Sequence, residues 1–334
     1  MAERKGETFI FKKPPVATAG AGVAGKTEGE GPLRSEFDYV LKEDMEKDNW
    51  ESAESAFHKK AVETVLKKSG KAESDIDVIL SGDLLNQCMS SSFSIKDMKI
   101  PFCGLYGACS TFALALGLSA VLVDSGCAEN TVCATSSHFC SAEKQFRQPL
   151  EYGGQRPPTA QRTVTGAGAL VVSGHGQGPR ITAFRLGKII DYGVTDENNM
   201  GAAMAPAAAD SIYNFLRDTG TSPKDYDMIL TGDLGHTGSA LLIKLLQEEK
   251  GCDISDIHED CGVLIFDNKE QDVHAGGSGC GCSAVVVSTY ILRLLNEGSL
   301  KKVLFVGTGA LISTVSPLQG NTVPGIAHTV LLEG

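Results

Sequence analysis

Residues 69–84, SGKAESDIDVILSGDL, return in outline 150 residues later as TGTSPKDYDMILTGDL at residues 219–234. Gly70, Asp75, Asp77, Ile79, Leu80, Gly82, Asp83 and Leu84 recur without a gap as Gly220, Asp225, Asp227, Ile229, Leu230, Gly232, Asp233 and Leu234. Identity at half of such a window is far above the rate for unrelated segments. The chain is therefore expected to be two halves of one design.

The sequence around each copy points to the same local structure. Ala53, Phe57, Ala61 and Val65 share one face of a helix, and Ala203, Ala207, Ile212 and Phe215 share a similar face in the second copy. Gly70 and Gly220 stand where a helix C-cap is expected. Short strands follow, Val78 to Ser81 and Met228 to Thr231. A second pair of segments repeats at another offset. Gly107-Ala108-Cys109-Ser110 and Cys280-Gly281-Cys282-Ser283 each precede an apolar run, a glycine (Gly126, Gly298) and a strand ending near Thr135 or Thr308. Both runs are apolar nearly all round, which predicts helices buried on every side.

Strands alternating with helices imply parallel pairing and an α/β class. Two duplicated α/β halves around a pair of buried helices predict a five-layer αβαβα arrangement. The breaker-rich stretch Gly174 to Pro179 places the boundary, giving halves at residues 1–175 and 176–334. The polar loop from Glu151 to Arg162 is expected to form a lid or rim.

Composition excludes some functions. The formal net charge is -11, so the chain gains nothing from phosphate electrostatics and no nucleic-acid partner is expected. The ten cysteines lie mostly in apolar patterns and include no C-x-x-C pair, so reduced thiols are expected and no structural zinc. His258-Glu259-Asp260-Cys261 has metal-ligand chemistry, but ordinary loop polarity explains it, and no metal site is expected. The N-terminus has no secretory signal pattern, and the longest mostly apolar run, Ala284 to Leu295, is too short to span a bilayer. A soluble chain is expected, reaching any membrane through partners.

The two halves and their motifs resemble the thiolase-like superfamily, in which the nucleophilic cysteine sits at the N-terminus of the first buried helix. The matching position is Cys109, in GACST. Within that superfamily the chain resembles the SpoVAD family through SGDLLNQ (81–87), IPFCGLYGACST (100–111), ATSSH (134–138), EYGGQRPPTAQRTVTGAGA (151–169), MAPAAADSI (204–212), ILTGDL (229–234) and AGGSGCGCSA (275–284). The resemblance implies binding of dipicolinic acid (pyridine-2,6-dicarboxylate) and a part, with membrane-embedded SpoVA proteins, in its uptake into the forespore. It also implies a location at the spore inner membrane through those partners, a homodimer, no cofactor, and calcium as an optional companion of the ligand.

A thiol at a helix N-terminus gains a stabilised thiolate, which makes Cys109 a nucleophile or a pocket-lining group. The same helix end favours a carboxylate ligand. Condensing enzymes of the superfamily add a His, or a His and an Asn, on second-half loops. Here the first such loop reads Gly232-Asp233-Leu234-Gly235, and the second, Ala275 to Ser283, carries glycine and cysteine there. His236 and His274 lie off the pattern. The acyltransferase chemistry is therefore expected to be lost, and Cys109 to be a vestigial nucleophile.

Ser136, Ser137 and His138 end a strand near Cys109 and are candidates for ligand oxygens or a pyridine nitrogen; capping the next helix is the alternative. Arg156 and Arg162 are candidates for forked carboxylate contacts, against simple solvent exposure. Asp83 and Asp233 suit a purely structural Gly-Asp turn, although a calcium bridge to a dicarboxylate would give Asp233 a role. Dipicolinate binding is the leading reading, an acyltransferase using Cys109 the alternative, and a scaffold with a vestigial pocket the third.

Overall fold

The computed structural model describes residues 2–146 and 156–334. Residues 151–155 of the expected lid lie outside the described residues. The first round of structure runs β1 (Val16–Ala24), α1 (Trp50–Ser69), β2 (Val78–Gly82), β3 (Phe102–Gly104), α2 (Thr111–Asp124), β4 (Asn130–Ser137), α3 (Phe139–Phe146) and β5 (Gly166–Ser173). The second runs β6 (Arg180–Arg185), α4 (Met200–Thr219), β7 (Met228–Thr231), α5 (Gly235–Lys250), β8 (His258–Asp260), α6 (Cys280–Val286), β9 (Lys302–Ala310) and β10 (Gly325–Glu333). A π turn, Val287–Ile291, carries α6 on into Leu292–Asn296.

Hydrogen bonding orders the strands β1-β5-β4-β2-β3 and β6-β10-β9-β7-β8, the same pattern twice. Strands reached through a crossing helix are parallel: β4 with β2, β2 with β3, β9 with β7, and β7 with β8. β5 and β10 return beside their predecessors without such a crossing and pair antiparallel, so each half-sheet is mixed rather than all parallel. The half-sheets join where Arg180 stands opposite Val16. Thr8–Ile10 pairs with Ala183–Arg185, so the opening residues belong to the sheet of the second half. Beside that pairing the fully buried Arg185 is met by Glu7 and, at 2.8 Å, by Asp218.

Side chains alternate across each strand between two cores. Leu80, Cys133, Leu170, Leu230, Phe305 and Val330 meet α2 and α6 in a central core that draws on both sheets. Their neighbours Ile79, Val132 and Val171 face α1 on one outside. Ile229, Leu304 and Leu331 face α4 and α5 on the other. Three cores between five layers give the αβαβα order. The repeated pairs Ile79-Leu80 and Ile229-Leu230 do the same work in each half.

The other repeated residues are also paired in role. Asn49 and Asn199, again 150 residues apart, cap α1 and α4 by accepting from Ser52 N–H and Ala202 N–H. Gly70 and Gly220 close the same helices at φ 67° and 68°, a left-handed conformation that glycine adopts without strain. Asp77 accepts from the amides of Glu129 and Asn130, and Asp227 from those of Lys301 and Lys302. Each pair ties the start of β4 or β9 to its neighbour.

Gly20–Thr27 has the spacing of a phosphate-binding loop, GxxxxGKT. Residues 20–24 are ladder positions of β1, however, and a single 3-10 turn rather than a helix follows Thr27. The string lacks the strand–loop–helix that makes the cradle. Among the described residues no helix is long and apolar enough to cross a membrane.

Because Asp77 and Asp227 hold equivalent positions, Asp77→Ala and Asp227→Ala should cost similar stability, each about 1 kcal/mol for the loss of charge-assisted bonds at a partly exposed site. The double variant should be additive, since the sites share no partner. Urea unfolding of the three proteins checks both statements.

Candidate functional site

The turn before α2 holds Cys109 in place. Ser110 N–H and the Ser110 hydroxyl donate to the Gly107 carbonyl, and the Thr111 hydroxyl donates to that of Ala108. Ala108 sits at φ +50°, an uncommon conformation for a residue with a Cβ. The bend turns the Cys109 side chain away from the helix and toward the second half. β9 passes so close behind it that a Cβ on Gly309 would lie 2.5 Å from the Gly107 carbonyl oxygen, so glycine is required there.

Two second-half loops meet Cys109. Ser278, in a short strand (Gly277–Ser278) paired with Arg162–Thr163, places its Oγ 3.8 Å from the sulfur. Asp233, after β7, is buried behind them and faces the thiol. Its Oδ2 accepts from Ser278 Oγ and Gly279 N–H, each at 2.9 Å, and its Oδ1 accepts from Thr308 Oγ1 at 2.7 Å. These loops are where a condensing enzyme would carry His and Asn; here they supply Asp233 and Ser278.

Cys109, Ser278 and Thr163 form the floor of an open cleft, with Asp233 behind them. Leu84, Ala142 and Phe146 wall one side, Met200, Ala310 and Ile312 the other, with Tyr106 beside Ala108. Two carboxylates, Glu143 and Glu197, also face the space. The cleft is thus largely apolar, with its polar groups gathered at the floor and in two acids.

Electrostatics reverse the expectation for Cys109. Burial, and then the Asp233 carboxylate, push its thiol well above the usual range, and these outweigh the helix end. Burial also raises Asp233 to about 7. An imidazolium partner would stabilise a thiolate; a carboxylate opposes it. His236 is exposed on α5, and His274 pairs with Asp272. Buried His328 does reach the turn, with its Nε2 3.8 Å from where a Cβ on Gly107 would lie. Its Nδ1 accepts from Gly187 N–H, so Nε2 carries the ring hydrogen and is no base for Cys109.

The strand-end candidates turn elsewhere. Ser136 is fully buried and donates to Glu54 at 3.2 Å. Ser137 donates to the Val164 carbonyl and accepts from Gly281 N–H. His138 donates from Nε2 to the Glu43 carbonyl at 2.9 Å, and burial lowers its pKa so that the ring is neutral. These side chains brace layers rather than line the cleft. Arg162 precedes Thr163 in the short strand, and alternation sends Thr163 to the cleft and the guanidinium to the other face, 4.0 Å from the Phe139 ring. Arg156 donates to the Asp272 carbonyl at 3.1 Å. Of the residues singled out in the sequence, the structure brings Cys109 and Asp233 together.

The twin aspartates have diverged. Asp83 braces its own loop, accepting from Leu85 N–H, Ser91 N–H and the Ser91 hydroxyl. In the second half that work falls to Asp260, which accepts from Leu234, Gly235 and Val263 N–H, leaving Asp233 for the cleft. This also explains the acid in His258-Glu259-Asp260-Cys261.

Comparison with known proteins fits this architecture. The family model described as stage V sporulation protein AD (SpoVAD) matches residues 5–333. Stage V sporulation protein AD of Bacillus subtilis (strain 168) is 44% identical over 328 residues, 98% of this chain and 96% of that protein. Among solved structures, 3-oxoacyl-[acyl-carrier-protein] synthase III from Aquifex aeolicus VF5 superposes with a TM-score of 0.58 at 12% identity, covering 96% of this chain and 100% of that one. Xanthomonas campestris OleA gives 0.58 at 12% identity, covering 97% and 98%. These likenesses establish the α/β fold of thiolase-like ketosynthases over nearly the whole chain.

At about pH 8, iodoacetamide should label exposed Cys127 well before buried Cys109. Asp233→Asn should move the onset of Cys109 labelling to lower pH, because it removes a negative charge that disfavours the thiolate. Peptide mapping by mass spectrometry reads both effects.

Proposed function

The chain belongs to the SpoVAD family, and on that premise we propose that it is a non-catalytic binding protein for dipicolinate, acting in dipicolinate uptake into the forespore. One observation carries the non-catalytic part: Cys109 is buried against Ser278 and Asp233, and burial, then the Asp233 carboxylate, disfavour its thiolate. Thioester attack needs the thiolate, and among the described residues no imidazole stands where it could make it. What remains is a cleft with an apolar body and a few convergent polar groups, a form suited to a small flat ligand. Cys109, Ser278 and Thr163 line the floor and would meet a ligand carboxylate there. Glu143 and Glu197 make calcium a fitting companion, since a cation between them and the ligand offsets like charge.

Membrane-embedded SpoVA proteins are the proposed partners, and would hold the chain peripherally at the spore inner membrane. A second copy is proposed at the open edge of β3. Phe102, Cys103 and Gly104 are all exposed there, beside exposed Phe93 and Tyr106. The equivalent edge β8 exposes Glu259, a charge of the kind that guards an edge. Antiparallel pairing of two β3 edges would be isologous. Sedimentation velocity should find a dimer, and Phe102→Asp should shift it to monomer.

Calorimetric titration with dipicolinate should show binding, tighter with calcium present. Ala142→Phe fills the cleft from its wall and should abolish binding, at a stability cost of about 1–3 kcal/mol for overpacking. Unchanged affinity in that variant would place the ligand elsewhere. Incubation with acyl thioesters should leave Cys109 unmodified in intact-protein mass spectra; rapid acylation there would instead establish the acyltransferase reading.

A further inference from the structure

The floor of the cleft has a donor problem. With Asp233 ionised, the Ser278 hydroxyl hydrogen is committed to Oδ2 at 2.9 Å, and Ser278 shows the cleft only lone pairs. A ligand carboxylate arriving at Ser278 would meet an acceptor, with the Asp233 charge directly behind, whatever the Thr163 hydroxyl beside it donates.

A proton on Asp233 changes which way one hydroxyl points. Gly279 N–H is a fixed donor. Thr308 is fully buried, and its oxygen already accepts from Asp233 N–H at 3.1 Å, so turning its O–H off Oδ1 would leave that hydrogen without a partner in the core. Ser278 lies on the cleft wall and can turn. Accepting from protonated Asp233, it points its own hydrogen into the space.

We infer that Ser278 is the hydrogen-bond donor to a ligand carboxylate at the cleft floor, and that it donates only when Asp233 holds a proton, so that each ligand enters with one proton. Asp233 is then a positioning residue. The inference rests on the dipicolinate reading and adds its regulation. The titratable groups around Asp233 are Asp260 and the thiols of Cys109, Cys261, Cys280 and Cys282, with Glu143, Glu197 and Tyr106 on the cleft wall. None of these carries positive charge. Burial places the Asp233 titration at about 7. Free protein is thus ionised there above that pH, and the bound complex is protonated.

Calorimetric titration of the full chain with dipicolinate, in buffers of different ionisation enthalpy, counts the protons. Both carboxyls of the free ligand are ionised above about pH 6, so it brings no proton with it, and comparison with Asp233→Asn assigns any uptake. Uptake should approach one proton per ligand above about pH 7 and fade below about pH 6. The dissociation constant should rise about tenfold per pH unit above the Asp233 titration. Asp233→Asn should show no uptake and a flat pH profile whatever its affinity, and Ser278→Ala should weaken binding at low pH about tenfold or more. Wild-type binding without proton uptake would overturn the inference and leave the dipicolinate reading intact. A wild-type pH slope retained in Asp233→Asn would overturn it too. Absence of binding at every pH would overturn both, and the wild-type measurement decides even if a variant fails to fold.

Discussion

Burial of α2 and α6 between two half-sheets sets the conditions for everything else in the molecule. A helix with no exposed face must be apolar all round, so its N-terminal end is the only place where it can present polar chemistry. For α2 that end carries Cys109, against loops from the opposite half. The half-sheets press on this end from behind, which is why glycine stands at Gly309 and why Ala108 accepts a left-handed backbone. The site is therefore a product of the interface between halves. Neither repeat contains it alone.

The same enclosure governs the charges. In water a helix N-terminus would lower a thiol pKa, but here desolvation is the larger effect and Asp233 adds to it. The first half shows parallel physics without a cleft: burial, then Asp83, raises Glu54 to about 8 while Ser136 and Ser141 donate to it. The duplicated scaffold thus keeps buried acids in both halves, and in the second half Asp233 stands directly behind Ser278 and Cys109 of the cleft.

Much of the fold was legible in the sequence because the duplicated residues have duplicated jobs. Capping glycines, the Asp77 and Asp227 ties and the alternating Ile-Leu pairs follow from local rules that act alike wherever the string occurs. The site was less legible. Ser136, Ser137 and His138 sit at the right strand end, but which way a buried hydroxyl turns depends on Glu54, Val164 and Glu43, far away in the chain. Arg162 illustrates the same limit, since a one-residue step in strand register decides between cleft and Phe139. Ser278 lay in the expected loop, in AGGSGCGCS, and its hydroxyl was the available signal among glycines and cysteines. Glu143 and Glu197 carried no signal, because only the fold brings α3 and the segment before α4 to the same cleft.

The N-terminal pairing of Thr8–Ile10 with Ala183–Arg185 has a consequence for how the chain comes off the ribosome. Thr8–Ile10 forms a hairpin with Glu3–Lys5, and that hairpin has no place in the larger sheet until Ala183–Arg185 has been synthesised. Arg185, in turn, is a buried cation whose partners are Glu7 from the opening segment and Asp218 from the end of α4. Leaving that charge uncompensated is costly, so the clasp can shut only after Asp218 has emerged. The Glu7–Ile10 segment is thus fastened late, and it fastens the first half to a second half already under construction.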